Sequence, residues 1–373
     1  TAQGVFFPQN VRGFDVNGHV PTTYNWNVSV QRELPSGVLL DVGYVGSVGR
    51  HLLAIVDPNM APLGSAFLPS TQDPTNPNPK FDGTTNLPVN FYRPYVGYGD
   101  ARITTFGSSS NYHSLQVGVT RRLNRGFTFG LAYTWSKALG VASGDGDVLH
   151  PTKSRVADYG PLFFDRTHNF VVNYVWDIPR LARGSNFLDN PLGRLVFNGW
   201  VLSGITQMIT GQPDNITMSI RNVGDAERNR RWTGSENIAP RVMVTGDPNS
   251  GPKDQYAYIN TSVFGMPAPG TSQGFDSAPR LIRRPGDYVW DISVFKNIPI
   301  AGESRYLQLR LEMFNAFNQV RFSDFERTAT FDLNGNLTNL PAAVGGGGGR
   351  FGFGAITATR DPRVIQLAAK FYF

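Results

Sequence analysis

Two stretches of strict two-residue alternation, repeated 89 positions apart, limit this chain more than any other feature. Tyr24, Trp26, Val28 and Val30 alternate with Asn25, Asn27, Ser29 and Gln31. Leu34-Pro35-Ser36-Gly37 follows, a tight-turn composition. Val38, Leu40, Val42, Tyr44 and Val48 then stand against Asp41, Gly43 and Ser47. The plan recurs from His113 to Lys137 around the turn Leu123-Asn124-Arg125-Gly126. There Leu115, Val117 and Val119 oppose Ser114, Gln116, Gly118 and Thr120. Phe127, Phe129, Leu131, Tyr133 and Trp135 oppose Thr128, Gly130, Ala132, Thr134 and Ser136. Side chains two apart share a strand face, so each hairpin carries one oily and one mixed face. Such self-similarity also suits a solenoid, but the long segment between the hairpins fits a repeated wall better.

Further strands are expected at about 166–178, 197–210, 287–297 and 304–315, and a closing one at 363–373, making nine. Each runs about 11 residues, which at ~3.3 Å per residue and a ~40–45° tilt covers about 25 Å of height. Connections at 34–37, 123–126 and 298–303 are short, and 179–196 is less tight; those at 49–109, 138–165, 211–285 and 316–361 are long. Residues 1–23 read as a loop. A soluble sandwich has no reason to gather its long loops at one end. No run approaches the ~18 apolar residues of a spanning helix, and only helices and closed barrels satisfy the backbone in lipid. The slightly negative mean hydropathy agrees, since half of each barrel strand faces a polar interior. The expected fold is therefore all-β, an antiparallel up-and-down meander of an outer-membrane β-barrel, partial at about nine to eleven strands, with long extracellular loops.

Aromatic residues test that orientation. If the closing strand descends to the periplasm, Tyr24, Trp26, Tyr44, Tyr133, Trp135, Tyr288 and Trp290 fall at the outer rim. Phe127, Phe129, Trp176, Trp200, Phe371 and Phe373 then fall at the inner one. Two girdles emerge from one assumption, as anchoring at lipid interfaces requires.

Little in the chain carries chemistry. The absence of cysteine excludes disulfides, thiolate metal sites and a cysteine nucleophile. The five histidines lie in separate segments without paired ligand spacing, and His113 and Ser114, as strand neighbours, face opposite ways. No catalytic site, cofactor or metal is expected. Ser143-Gly-Asp-Gly-Asp147 lacks the later glutamate of an EF-hand and reads as a flexible polar loop; Gly345–Gly349 reads as a mobile linker. The net charge of +6 gathers at 221–231 and at Arg280, Arg283 and Arg284. Neither cluster interleaves aromatics, so solvated loop charge is expected rather than nucleic-acid binding. Asp291, Gln308, Arg310 and Glu312 are expected to face the lumen, because Arg on the lipid face would cost ~2–4 kcal/mol at mid-membrane. A turn centred near 300–302 places Asp291 opposite Arg310 and Ser293 opposite Gln308.

Several stretches carry a resemblance. They are Tyr24-Asn-Trp-Asn-Val-Ser-Val-Gln-Arg-Glu-Leu, Asn111-Tyr-His-Ser-Leu-Gln-Val, Tyr133-Thr-Trp-Ser-Lys, Phe164-Asp-Arg-Thr-His-Asn-Phe, Asn198-Gly-Trp, Leu309-Arg-Leu-Glu-Met-Phe-Asn-Ala-Phe-Asn and Asp361-Pro-Arg-Val-Ile-Gln-Leu. Together they resemble the carboxy-terminal barrel of TonB-dependent receptors, most closely of the Oar-like type. The closing strand resembles an insertion signal read by the barrel-assembly machinery, at Gln366, Ala368, Phe371 and Phe373, with Ala368 where the family usually has Gly. The resemblance implies a 22-stranded barrel filled by a plug, with 1–373 as the carboxy-terminal part of its wall and the plug, TonB box and amino-terminal domain absent. It implies membrane lipid and lipopolysaccharide as surroundings, TonB as a partner only through the missing plug, and an unknown ligand. The expected function is a segment of a receptor importing a scarce large nutrient, such as a siderophore, glycan or peptide. The alternative is an adhesin-like or secretion-associated barrel.

Overall fold

The computed structural model describes residues 8–373 except 36, 125, 153, 185–186 and 302–304. Nine strands form the wall: β1 Thr22–Leu34, β2 Val38–Val56, β3 Tyr98–Asn124, β4 Phe127–Gly140, β5 His168–Asp177, β6 Trp200–Ile209, β7 Asp287–Ala301, β8 Arg305–Phe314 and β9 Val364–Tyr372. Each pairs antiparallel with the next in sequence, and β1 and β9 are the ends of the path. The alternation explains why. Across the registers Trp26, Tyr44, Leu115, Tyr133, Phe170, Met208, Tyr288, Met313 and Ile365 all fall on one face, as do Val30, Val117, Leu131, Val172, Val294, Leu311 and Leu367. That face is apolar and open, with Val28 at 69% and Leu367 at 77% exposure. The other carries Asn27, Ser29, Gln116, Thr134, Asn173, Ser203 and Ser293.

The tight turns share one end. Gly37 and Gly126 take positive φ of 69° and 78° there, which a side chain would strain. Ser36, Arg125 and 302–304, in three of the expected short turns, lie outside the described residues. At the other end β2 and β3 run well beyond the expected band. The residues 98–110 thereby expose a strand edge, and Gln9–Phe14 pairs in parallel against it, Gln9 to Tyr98 and Phe14 to Thr104. This corrects the loop reading of 1–23; the pairing is non-local and six residues carry no period that reveals it. The strand expected from residue 197 starts instead at Trp200, because Pro191–Phe197 is a helix, α1.

The hydrophobic core lies in the long loops, not in the sheet. Trp232, Ile259, Ile282, Phe325, Phe331 and Phe353 are fully buried. The 210–286 and 315–363 segments interlock through the pairing of Thr217–Ile220 with Thr328–Phe331, and the second closes on itself by pairing Phe322–Phe325 with Ile356–Thr359. Helix α2, Asp225–Thr233, brings Trp232 into that core, its indole donating to the Pro267 carbonyl at 2.8 Å. The 57–97 loop joins by Gly64 N to Thr233 O at 2.9 Å and Ala66 N to Gly234 O at 2.8 Å. The four long loops thus form one packed layer above the wall.

Candidate functional site

The polar face of β7, β8 and β9 carries the densest set of candidate residues. Pairing runs Ser293 to Glu312, Phe295 to Arg310 and Asn297 to Gln308, so Asp291 is not opposite Arg310 and Ser293 is not opposite Gln308. β7 continues to Ala301, later than the expected turn, which slides β8 by four residues. An even slide leaves the faces intact. Asp291, Gln308, Arg310 and Glu312 therefore share one face of the sheet, with neighbours other than those the expected turn implied.

Those neighbours form a hydrogen-bond ladder. Gln308 Nε2 donates to Asn297 Oδ1 at 2.8 Å, and Arg310 Nε donates to Gln308 Oε1 at 2.6 Å. Arg310 Nη2 donates to Tyr372 Oη at 2.9 Å, while its guanidinium lies 5.1 Å from the Phe295 ring centre. Tyr306 stacks on Tyr372 at 4.5 Å. Glu312 lies between Ser293 and Gln366, and Ala368 lies opposite Arg310. Asp291 Oδ1 instead accepts from Asn315 N at 2.9 Å. That bond starts the turn of the Asn315-Ala-Phe-Asn318 run: both asparagines adopt positive φ, Asn315 clasps Gln319 through both amide atoms, and Asn318 Oδ1 accepts from Arg363 N.

The aromatic residues of the apolar face divide between its two ends. Tyr24, Trp26, Tyr133, Trp135, Tyr288 and Trp290 stand toward the long loops; Trp176 and Trp200 stand toward the short turns with Phe371, which stacks on Phe373 at 6.0 Å. Sequence reasoning missed that two histidines join the upper belt. Tyr44 Oη bonds His113 Nδ1 at 2.7 Å and Tyr133 Oη bonds His168 Nδ1 at 2.9 Å, each pair stacked. The repeat signal could have found them, since Tyr44 and Tyr133 are equivalent positions. Ser114 is buried on the opposite face.

The basic clusters are solvated only in part, with Arg221 exposed and Arg230, Arg231, Arg283 and Arg284 half-buried. Arg228 and Arg280 are buried, and the cluster at 280–284 ties the loops to the wall. Arg283 Nη2 meets Asp165 Oδ2 at 2.5 Å, where the Asp165 side chain is wholly buried and its other oxygen accepts Ala138 N at 2.7 Å. Arg284 and Arg327 share Asp214 at 2.5 and 2.8 Å. Arg321 and Arg360 share Asp287 at 3.1 and 3.2 Å. Arg280 Nη2 donates to Asp158 O at 2.5 Å and Arg241 Nη1 to Ala157 O at 2.6 Å. Burial holds the guanidinium pKa of Arg241 and Arg280 below the ordinary value, opposed by nearby aspartates, and raises the carboxyl of Asp158. The 280–284 cluster sits where aspartates from distant loops converge, which no local pattern announces, whereas Arg228, Arg230 and Arg231 pair within their own segment with Asp225, Glu236 and Glu227. The glycine run is likewise packed: a Cβ on Gly346 would come within 2.1 Å of Leu340 O, and Gly348 N donates to that oxygen at 2.8 Å. At 143–147 the loop closes on itself, Ser143 N donating to Asp147 Oδ2 at 2.7 Å.

A family model described as an outer membrane beta barrel domain matches residues 1–366. Among solved structures, the ferric-catecholate import receptor Fiu from K12 E. coli is similar at a TM-score of 0.38 and 8% identity, over 95% of this chain and 28% of that one. FpvAI in its complex with pyocin S2 gives 0.40 and 8%, over 94% and 27%. The ferric citrate transporter FecA, unliganded, gives 0.35 and 9%, over 94% and 31%. The chain spans less than a third of each of these receptors. No curated protein matches the sequence significantly. With one apolar and one polar face, a sequential meander and all long loops at one end, the chain belongs to the family of outer-membrane β-barrel domains and resides in the bacterial outer membrane.

Proposed function

We propose that the chain is part of the wall of a TonB-dependent receptor of the Oar-like type, importing a scarce large nutrient such as a siderophore, glycan or peptide. The observation that carries this reading is the packed loop layer. Four long loops at one end, clamped by Arg pairs to buried Asp165 and Asp214, form a shaped roof that a simple pore does not need, whereas the connections at the other end are short. The polar face, with Asp291, Gln308, Arg310 and Glu312, lines the interior, and the apolar face with its two girdles meets lipid and lipopolysaccharide. Gln366, Ala368, Phe371 and Phe373 present the closing strand to the assembly machinery. TonB acts through a plug, and the chain itself performs no catalysis. The test is solute uptake by cells carrying the complete receptor, with and without TonB. Uptake that stops when TonB is removed supports import. Adhesion or secretion that depends on the protein, with uptake unchanged by TonB, favours a structural barrel instead.

A further inference from the structure

One connection at the short-turn end is not a turn. Between β5 and β6 the chain forms α1, and its construction is specific. Asn190 Oδ1 accepts from Gly193 N at 2.8 Å as N-cap, and Pro191 occupies the first turn. Asn198 grips Ala182 at both ends, its Oδ1 accepting at 2.9 Å and its Nδ2 donating at 2.8 Å. Gly199 has φ of 77°, and a Cβ there would lie 2.4 Å from Asn297 O. The Asn198-Gly199-Trp200 motif therefore docks this helix against the rim.

The helix is oriented the wrong way for a soluble protein. Leu192, Leu195 and Val196, at helical i, i+3, i+4 spacing, are 69%, 47% and 46% exposed, and Phe187 and Phe197 are also exposed. Contiguous apolar surface of this kind marks an interaction site. Two residues of the apolar wall face hold the helix end. Trp200 Nε1 donates to Val196 O at 2.8 Å, and Lys296 Nζ lies over the Trp200 ring while bonding the Val196 and Asn198 carbonyls. The apolar stripe is thus continuous with the lipid-facing band at its lower girdle. Arg180 and Arg194 border an open cleft of about 790 Å³ between helix and β7–β8 rim, and Arg183 is exposed nearby.

We propose that residues 187–197 form an interfacial foot that lies in the periplasmic leaflet of the outer membrane, its Leu192–Leu195–Val196 stripe inserted among phospholipid acyl chains at the Trp200 girdle. Amphipathic helices with basic flanks occupy the headgroup boundary in this way, and charge on Arg180 and Arg183 complements anionic phospholipid. The inference concerns the membrane and does not depend on whether the barrel imports anything.

The chain has no cysteine, so a single nitroxide reports alone. The protein is reconstituted in phosphatidylethanolamine–phosphatidylglycerol vesicles with a label at Leu192→Cys or Leu195→Cys, and Asn78→Cys in an exposed loop serves as the aqueous control. Far-UV circular dichroism matching the parent verifies folding. Labels at 192 and 195 should relax with dissolved oxygen in preference to a water-soluble nickel chelate, and the label at 78 should show the reverse. Nickel-favoured relaxation at 192 and 195 overturns the proposal by placing the helix in water. Protection from both reagents also overturns it, because protein then covers the stripe.

Discussion

At Asp165 a carboxylate with no exposed side-chain surface receives Arg283 from a loop more than a hundred residues away and caps Ala138 N at the top of β4. Removing Asp165 leaves the buried Ala138 N–H without its acceptor and Arg283, 31% exposed, partly hydrated, at about 1–3 kcal/mol. Asp165→Ala should therefore lower the stability of the loop layer by that order, read in urea unfolding with the wall in detergent; a loss below about 1 kcal/mol would mean the pair is solvated. Tyr258 supplies a pH-dependent counterpart. Burial, with a smaller contribution from Tyr288, pushes its phenol up to about 12. A raised folded pKa means stability is fully present below the unfolded value near 10 and is lost as pH rises toward 12. The loop layer should weaken between about pH 10 and 12, and Tyr258→Phe should flatten that dependence, followed by tyrosinate absorbance and unfolding midpoints. An unchanged slope in the variant assigns the alkaline loss to other tyrosines.

Strands were legible because alternation is a local signal. From Tyr24 to Phe371 the alternating apolar positions share one face of the sheet, opposite Asp291, Arg310 and Glu312. Register was not legible, because it depends on where β7 stops, and Ile298-Pro-Ile-Ala continues a strand as readily as it begins a turn. Helix α1 was hidden inside the connection expected at 179–196, with only Phe197 falling in the next expected strand, because its Leu192, Leu195 and Val196 follow a three-and-four spacing over too few residues to register as a helix. The arginines at 280–284 were misjudged because their partners come from 158, 165, 214 and 324, far off in the chain. The register yields a direct check. In the cysteine-free background, Ser293→Cys with Glu312→Cys sets thiols on directly paired residues, whereas Asp291→Cys with Arg310→Cys sets them four positions out of register. Mild oxidation should cross-link the first pair readily and the second hardly at all. The opposite ranking would restore the register in which Asp291 faces Arg310.

For the molecule as a whole, two halves are stabilised by different physics. The wall has backbone ladders and an apolar face that needs lipid, and each of its strands is hydrogen-bonded to the next in sequence. The loop layer has a conventional core, with Trp232, Phe331 and Phe353 wholly buried, and it meets the wall chiefly through Arg–Asp clamps. Large-to-small substitution of a buried aromatic costs about 3–5 kcal/mol, against a domain total of about 5–15 kcal/mol. Trp232→Ala also leaves the Pro267 carbonyl without its indole donor. The variant should then open the loop layer while leaving the wall paired, because none of the wall's ladder bonds involves residue 232. Protease added to the reconstituted protein should cut between 210 and 286 much faster than in the parent, yet far-UV strand signal and membrane-protected fragments should persist. If the strand signal collapsed together with the loops, the wall would depend on its roof for folding, and the two halves would be one cooperative unit.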